Sequence, residues 1–284
     1  MAPPAERRGP TTAESLREYG RGIGGGFLFS LPLILTMEVW SAGVTVTPAR
    51  LAVALVATFV LLCGYNAFAG LRHDSTIREI LVDSIEELGI GLTLSALILF
   101  LLGRIGFGSS PETSLALVVM EGLFIAVGVS VGTAQLSGGD DNGGSDSGSP
   151  QGRHQTLLSE LVLAVCGAVL IAANVAPTDE VLFLASEMSP IQLLGTMSTS
   201  LMLAATLLYF SDFTGSARFA GTRAFFGVAH GTVITYAAAL ASSAALLWFF
   251  GRLEGLGVPL QLAQCVVLGL VATLGASAGR LLLR

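Results

Sequence analysis

The sequence predicts an all-α membrane protein whose eight transmembrane helices form two parallel four-helix repeats, with both termini in the cytoplasm. The first reason is composition. Of the 284 residues, 52% are hydrophobic and 12% are charged, and the mean hydropathy is +0.75, which is too apolar for a soluble chain of this length. The second reason is a series of long apolar segments, and the third is a match between the two halves of the chain.

The apolar segments have the length of membrane spans. A hydrocarbon core of about 30 Å takes about 20 helical residues. On that basis the predicted spans are residues 22–41, 49–70, 84–103, 114–133, 157–182, 191–210, 229–251 and 260–279. Within the fifth span, Pro177 is expected to break the helix just before Asp179 and Glu180, because proline removes a backbone donor.

The arginines predict the orientation of the chain. Residues 1–21 form a polar N-terminal segment, and Arg7, Arg8, Arg17 and Arg21 precede the first span. Eleven of the 14 basic residues fall on the side of both termini, and only Arg50, Arg104 and Arg252 fall on the other. Because arginines of short loops stay on the cytoplasmic side, both termini are expected in the cytoplasm.

A polar segment divides the chain into two halves. Residues 137–152, SGGDDNGGSDSGSPQG, have the glycine, serine and aspartate composition of a flexible linker. The linker separates a first four-helix repeat, residues 22–136, from a second one, residues 153–284.

The two halves align over long stretches without gaps. A shift of 142 residues pairs Gly25, Thr36, Glu38, Val39 and Pro48 with Gly167, Thr178, Glu180, Val181 and Pro190. A shift of 148 pairs Ser95, Ala96, Gly103, Arg104 and Pro111 with Ser243, Ala244, Gly251, Arg252 and Pro259. Since each half has an even number of spans, the repeat is predicted to be parallel. The alternative is chance similarity between apolar helices, which does not easily match glutamate, proline and Gly-Arg positions.

Three glutamates are candidates for an outer site. A carboxylate at the centre of a span costs roughly 2.5 to 3.5 kcal/mol on insertion scales, so intramembrane acids are functional candidates. Glu121 lies seven residues into the fourth span, about 10 Å from the outer boundary, while Glu38 and Glu180 lie nearer the outer edge. The three are predicted to form an acidic vestibule. The alternatives are solvated helix ends for Glu38 and Glu180, and one interhelical hydrogen bond for Glu121.

A second acidic group is predicted at the cytoplasmic end of the third span. Asp83 lies three and four residues from Glu86 and Glu87, so the three are expected to share a helix face. Like charges at this spacing favour binding of a cation or a proton. The alternative is pairing with nearby arginines at a hydrated boundary. The corresponding stretch of the second half carries His230, either part of a proton pathway or an interfacial hydrogen-bonded histidine.

Several chemistries are excluded. The chain has no lysine, which excludes Schiff-base cofactors, a P-loop lysine and a Ser-Lys catalytic pair. Cys63, Cys166 and Cys265 lie in three different spans and are predicted to be small buried hydrophobic residues. Neither an HExxH helix nor a credible Ser/His/Asp set is present. We therefore expect no enzyme activity, no cofactor and no nucleic-acid partner; the sequence identifies no particular metal.

Two motifs carry a family resemblance. The segments TMEVW at residues 36–40 and DSIEELG at residues 83–89, together with the eight-span layout and the acidic linker, resemble those of an uncharacterised family of bacterial integral membrane proteins. The resemblance extends from Ser15 over nearly the whole chain. It implies a bacterial cytoplasmic membrane, and it brings no activity, substrate or site residue.

These features favour a cation channel, or a secondary transporter coupled to a cation or a proton, in the bacterial inner membrane. The outer site would contain Glu121, Glu38 and Glu180, and the inner site Asp83, Glu86 and Glu87. The expected partners are the lipid bilayer and the transported cation or proton, and the features are compatible with a homo-oligomer or a small membrane partner. The alternative is a scaffold or accessory subunit whose acids hold helices together or dock a partner.

Overall fold

The computed structural model describes residues 12–69, 76–106, 108–135, 157–215 and 222–282. Within these ranges the chain forms ten α-helices and no strand. In chain order they are α1 (Thr12–Ile34), α2 (Met37–Thr45), α3 (Pro48–Ala69), α4 (Ile77–Leu101), α5 (Pro111–Gln135), α6 (Leu157–Ala172), α7 (Asp179–Glu187), α8 (Pro190–Gly215), α9 (Thr222–Phe249) and α10 (Val258–Leu282). The predicted linker, residues 137–152, lies outside the described residues.

Six of these helices are long and apolar enough to cross a membrane: α3, α4, α5, α8, α9 and α10. They cover the predicted second, third, fourth, sixth, seventh and eighth spans, which confirms those spans as candidate membrane helices. The helix α6 is apolar but shorter.

The predicted first span is not one continuous helix. The helix α1 ends at Ile34, and α2 begins at Met37. Thr36 has an extended backbone, with φ −92° and ψ 132°, and its hydroxyl group donates to Leu33 O at 2.7 Å. Pro32 in the last turn of α1 removes a donor from the helix, and Leu33 O at its end accepts both the hydroxyl group and the backbone N–H of Thr36.

The fifth span is interrupted in the same way, as Pro177 predicts. The helix α6 ends at Ala172, and α7 begins at Asp179. Thr178 has an extended backbone, with φ −79° and ψ 150°, and its hydroxyl group donates to Val175 O at 2.8 Å. The two interruptions therefore use the same residue type and the same hydrogen bond.

Glycines let two pairs of helices approach closely. A Cβ atom on Gly25 of α1 would lie 2.7 Å from Gly128 O of α5 and would overlap with Gly132. A Cβ atom on Gly167 of α6 would lie 2.8 Å from Gly279 Cα of α10. Small residues at this spacing are typical of tightly packed membrane helices, and here they join α1 to α5 and α6 to α10.

The helices α4 and α9 end in the same turn. Gly103 and Gly251 have φ values of +68° and +73°, which glycine adopts without steric cost. In each turn the following arginine N–H donates back to a carbonyl group of the last helical turn, Arg104 to Leu99 O and Arg252 to Leu247 O, both at 2.8 Å. This is the hydrogen bond of a Schellman C-terminal cap.

The core joins the two halves. Phe124 of α5 stacks on Phe250, with ring centroids 5.8 Å apart, and meets Phe249 edge-to-face at 5.9 Å. These rings belong to an apolar cluster that also contains residues of α1, α2, α6 and α10. The helix α5 is buried continuously from Met120 to Gly132, so it is the central helix of the first half.

Candidate functional site

Glu121 is fully buried in α5. Its side chain has no exposed surface, and neither carboxyl oxygen has a hydrogen-bond partner among the described residues. Buried polar groups in proteins are normally hydrogen-bonded, and an ionised carboxylate without a partner is especially costly. The sequence predicts the burial of this residue. The interhelical hydrogen bond considered as its alternative role is not found among the described residues.

The side chain of Glu121 faces the interruption between α1 and α2. Residues four apart lie on one face of a helix. One turn before Glu121, Leu117 packs against Gly43 of α2; one turn after it, Ile125 packs against Gly26 of α1. Glu121 therefore lies opposite the point where the helical hydrogen bonds are broken.

An aromatic ring connects this carboxyl group to an exposed arginine. The indole of Trp40, in α2, lies beside Glu121, but its N–H donates to Ile34 O at 2.9 Å. The guanidinium group of Arg104 lies 3.6 Å from the centroid of the Trp40 ring. A cation at this distance is attracted to the ring, so the turn after α4 holds α2 in place beside Glu121.

A second buried carboxyl group lies in a cluster of neutral polar side chains. Glu87 of α4 is 9% exposed, and its Oε2 accepts a hydrogen bond from Asn66 Nδ2 of α3 at 2.8 Å. The same Asn66 Nδ2 donates to Ser84 Oγ at 3.1 Å, and Ser130 Oγ of α5 lies 3.5 Å from Asn66 Oδ1. Three helices of the first half thus contribute to one polar cluster.

Local sequence signals position Glu87 on α4. The helix begins at a capping box in which Thr76 and Glu79 exchange hydrogen bonds. One turn after Glu87, a Cβ atom on Gly91 would lie 2.6 Å from Gly122 O and 2.7 Å from Ala126 N. This close crossing with α5 brings Glu87 to the level of Ser130.

The other two inner acids are placed differently from Glu87. Asp83, one turn before Glu87, is half-buried and has an interaction partner. Glu86 is exposed, because it points about 100° away from Glu87 around the helix. The expectation that all three acids share one face is therefore corrected for Glu86.

Glu38 and Glu180 occupy equivalent positions in the first turns of α2 and α7. Glu38 is half-buried and Glu180 is exposed. Among the described residues, no hydrogen bond or ion pair joins either carboxyl group to Glu121. An acid in the first turn of a helix is also favoured by the helix dipole, so the vestibule remains a prediction for these two residues.

His230 is exposed near the beginning of α9. The buried polar contacts of this region belong instead to Arg280 of α10, which is 4% exposed. Its guanidinium group donates to Gly231 O and to Thr235 Oγ1 at 2.6 Å each, and to Glu160 Oε2 at 2.9 Å. From the sequence, Arg280 counts only as one of the cytoplasmic arginines, so this buried ion pair is not predicted.

Asn66 is not among the site residues predicted from the sequence, although its residue type and position indicate a role. Asn66 is an amide inside an apolar segment, and polar residues at such positions commonly bond to neighbouring helices. Ser84 and Ser130 gave no comparable signal, because serine in a membrane helix often bonds to its own backbone. Among the described residues, no three His, Cys, Asp or Glu side chains are grouped so that they could hold a metal ion.

Comparison with known families finds a match over most of the chain. The model of the family described as "Putative integral membrane protein (DUF2391)", a domain of unknown function, matches residues 18–283. No curated protein matches the chain, and no solved structure matches it.

Proposed function

Because the chain belongs to this DUF2391 family of membrane proteins, we propose that it transports a proton or a small cation across the membrane. Glu121 would take up the charge. The observation that carries the proposal is the fully buried carboxyl group of Glu121, which has no hydrogen-bond partner among the described residues and faces the interrupted pair α1–α2. Intramembrane acids and interrupted helices are both typical of the ion and substrate sites of transporters.

The proposed pathway follows α5 from Glu121 toward the level of Ser130. The two residues are nine positions apart, or about 13 Å at 1.5 Å per residue. Ser130 lies in the cluster that contains Glu87. The buried carboxyl groups of Glu121 and Glu87 are therefore separated by about this distance along α5. Glu38 and Glu180 would attract cations at the outer end, and Asp83 at the inner end.

The proposed topology has eight membrane crossings, in which α1–α2 and α6–α7 each count as one. Two contacts support it for α1–α2. Gly22 of α1 packs against Thr133 of α5, and Gly43 of α2 packs against Leu117. The interrupted pair therefore runs along sixteen residues of α5, about 24 Å, which approaches the thickness of the hydrocarbon core.

A contact between the halves supports the second interrupted crossing. Arg50, at the start of α3, forms an ion pair with Glu254, in the turn between α9 and α10. Between these two positions the chain crosses the membrane through α3, α4, α5, α8 and α9, and five crossings alone would leave the positions on opposite sides. They lie on the same side only if α6–α7 adds a sixth crossing. The arginine distribution supports a cytoplasmic location for both termini, and we place the protein in a bacterial inner membrane.

The proposed internal repeat is supported by matching local structure. A shift of 142 residues relates the interruption at Thr36 to that at Thr178, and a shift of 148 relates the cap at Gly103 to that at Gly251. In each half the arginine of the cap contacts the short helix: Arg104 stacks on Trp40 of α2, and Arg252 pairs with Asp179 of α7 at 2.6 Å.

Flux measurements on Glu121 test the proposed transport. Purified protein in proteoliposomes is expected to carry protons or a monovalent cation down an imposed gradient, and Glu121→Gln should abolish this flux because it removes the charge. The matched control is Glu112→Gln, which removes an exposed carboxyl group from the first turn of the same helix. Unchanged flux in Glu121→Gln would exclude that residue from the mechanism.

The second candidate function is a scaffold or accessory subunit. It is favoured by the buried pair between Glu160 and Arg280, which shows an acid holding helices of the second half together. Absence of flux in the wild-type protein, for protons and for each monovalent cation, would contradict transport and favour this alternative.

A further inference from the structure

We infer that Asn66, Ser84, Glu87 and Ser130 form a binding site for one exchangeable monovalent cation, Na⁺ or H⁺. The inference rests on the contacts of this cluster and on its counterpart in the second half. It also adds an inner binding site to the proposed pathway.

Glu87 is the acidic group of this cluster. Glu87 is almost fully buried, and among the described residues no ion pair joins it to an arginine or a histidine. Among the described residues, the titratable side chains near Glu87 are Asp83 and Glu86 of its own helix, Tyr65 of α3 and Cys166 of α6. None of them carries a positive charge. A buried charge is normally paired, and among the described residues this cluster contains no cation to pair with Glu87.

The second half supplies a cation at the equivalent place. The shift of 148 residues pairs Glu87 with Thr235, whose Oγ1 accepts a hydrogen bond from Arg280 at 2.6 Å. Arg280 directly follows Gly279, where α10 crosses α6 at Gly167. At the equivalent crossing of α5 and α1, Thr133 directly follows Gly132. The guanidinium group is neutralised by Glu160. The second half therefore has a fixed cation with its own counterion, whereas the described residues of the first half place no cation beside Glu87.

The cluster also supplies oxygen atoms that could bind a cation. The cluster offers a carboxylate, an amide oxygen and two hydroxyl oxygens, which suit a hard cation, and the single negative charge balances a monovalent ion. At present the Asn66 amide group donates to Glu87 and to Ser84. Rotation of that amide group by 180° exchanges its nitrogen and oxygen atoms, so Asn66 satisfies Glu87 without a cation and contributes an oxygen ligand when a cation binds.

Thermal unfolding of the full-length protein in detergent tests this site. Replacing choline chloride by NaCl at constant ionic strength should raise the Tm of the wild-type protein by at least about 2 °C, since bound ligand stabilises the folded state. Glu87→Gln should abolish the shift. Glu86→Gln, which removes the adjacent exposed charge, should retain it.

The measurement separates the two cations. If Na⁺ has no effect and the dependence of Tm on pH between 5 and 9 differs between the wild type and Glu87→Gln, the bound cation is a proton. Should Glu87→Gln fail to fold, Ser130→Ala removes one oxygen ligand, and it should weaken Na⁺ binding several-fold while leaving a proton site nearly unchanged. Identical responses of the wild type and Glu87→Gln to Na⁺ and to pH would overturn the inference.

The site and the proposed transport can fail independently. Cation-dependent stability through Glu87 without flux in proteoliposomes would leave the binding site in place and contradict transport. If flux depends on Glu121, but the Tm of Glu87→Gln responds to Na⁺ and to pH as the wild type does, transport is retained and the site is overturned.

Discussion

At the scale of single residues, Gly24 and Gly25 are neighbours with opposite requirements. Gly24 is exposed, and a Cβ atom there would meet nothing within 4 Å. A Cβ atom on Gly25 would overlap with the backbone of Gly132. Only Gly25 therefore needs the missing side chain, because α1 and α5 touch there through their backbones.

This contrast predicts a matched pair of stability effects. Gly25→Ala should lower the free energy of unfolding by about 1–3 kcal/mol, because the added methyl group forces the helices apart. Gly24→Ala should be neutral or should stabilise the protein by up to about 1 kcal/mol, since alanine favours the helix. Thermal unfolding of the two purified variants checks the prediction, and equal Tm values would contradict the close crossing.

Glu121 and Arg280 should respond in opposite directions to replacement by an apolar side chain. Glu121→Met should raise the Tm, because it removes a buried carboxyl group that has no hydrogen-bond partner among the described residues and fills a similar volume. Arg280→Met should lower the stability by about 3–5 kcal/mol, because it leaves Glu160 without its partner. Glu121→Gln, which keeps a buried polar group, is the control. A fall in the Tm of Glu121→Met would indicate a partner for this residue outside the described residues.

The sequence predicts some of these residues and not others, for a physical reason. The depth of Glu121 follows from counting along a single apolar segment, so its burial could be predicted. The contacts of Asn66 with Glu87 and Ser130 depend on how three helices are rotated against each other. Apolar helices with no polar stripe give no information on that rotation, so the cluster appears only in the folded structure.

At the scale of elements, an arginine of the turn after α4 stacks on the short helix α2. The guanidinium group of Arg104 lies on the Trp40 ring, while the ring itself lies beside Glu121. In the other half, α7 is held by the ion pair between Arg252 and Asp179. The position of α2 is therefore expected to depend on Arg104.

Fluorescence quenching tests this dependence. The chain has two tryptophans, so Trp248→Phe leaves Trp40 as the only reporter. In that background Arg104→Gln should increase quenching of Trp40 by acrylamide, because a stacking contact of about 0.5–1 kcal/mol is lost. Arg252→Gln removes the corresponding arginine of the other half and should leave Trp40 unchanged. Equal quenching in all three proteins would show that Arg104 does not hold α2.

Proline explains why one interruption was predicted and the other was not. Pro177 lies immediately before Thr178, at the point where α7 begins, so the local sequence predicts this break. Pro32 lies four residues before Thr36 and inside α1, because membrane helices tolerate proline where neighbouring groups satisfy the backbone. Because α1 continues past Pro32, this proline does not mark the position of the break at Leu35.

At the scale of the whole molecule, the two halves share an apolar core and also meet at the surface. There Arg50 forms an ion pair with Glu254, whose side chain is 65% exposed. An exposed pair of this kind contributes at most about 1 kcal/mol. The aromatic contacts of Phe124 with Phe249 and Phe250 are buried, so they should hold the halves together more strongly than the charged pair does.

The same arrangement predicts which loops share a side of the membrane. Single cysteines at Thr47→Cys, Ser109→Cys, Ser189→Cys and Gln135→Cys, in a protein with Cys63, Cys166 and Cys265 replaced by alanine, can be labelled with a maleimide that does not cross membranes. If α1–α2 and α6–α7 both cross, the first three positions lie outside and should react in intact cells, while Gln135→Cys is protected. If α6–α7 only re-enters the membrane, Ser189→Cys should instead be protected together with Gln135→Cys, because one crossing fewer separates them. Detergent-solubilised protein, in which all four should react, is the control for access.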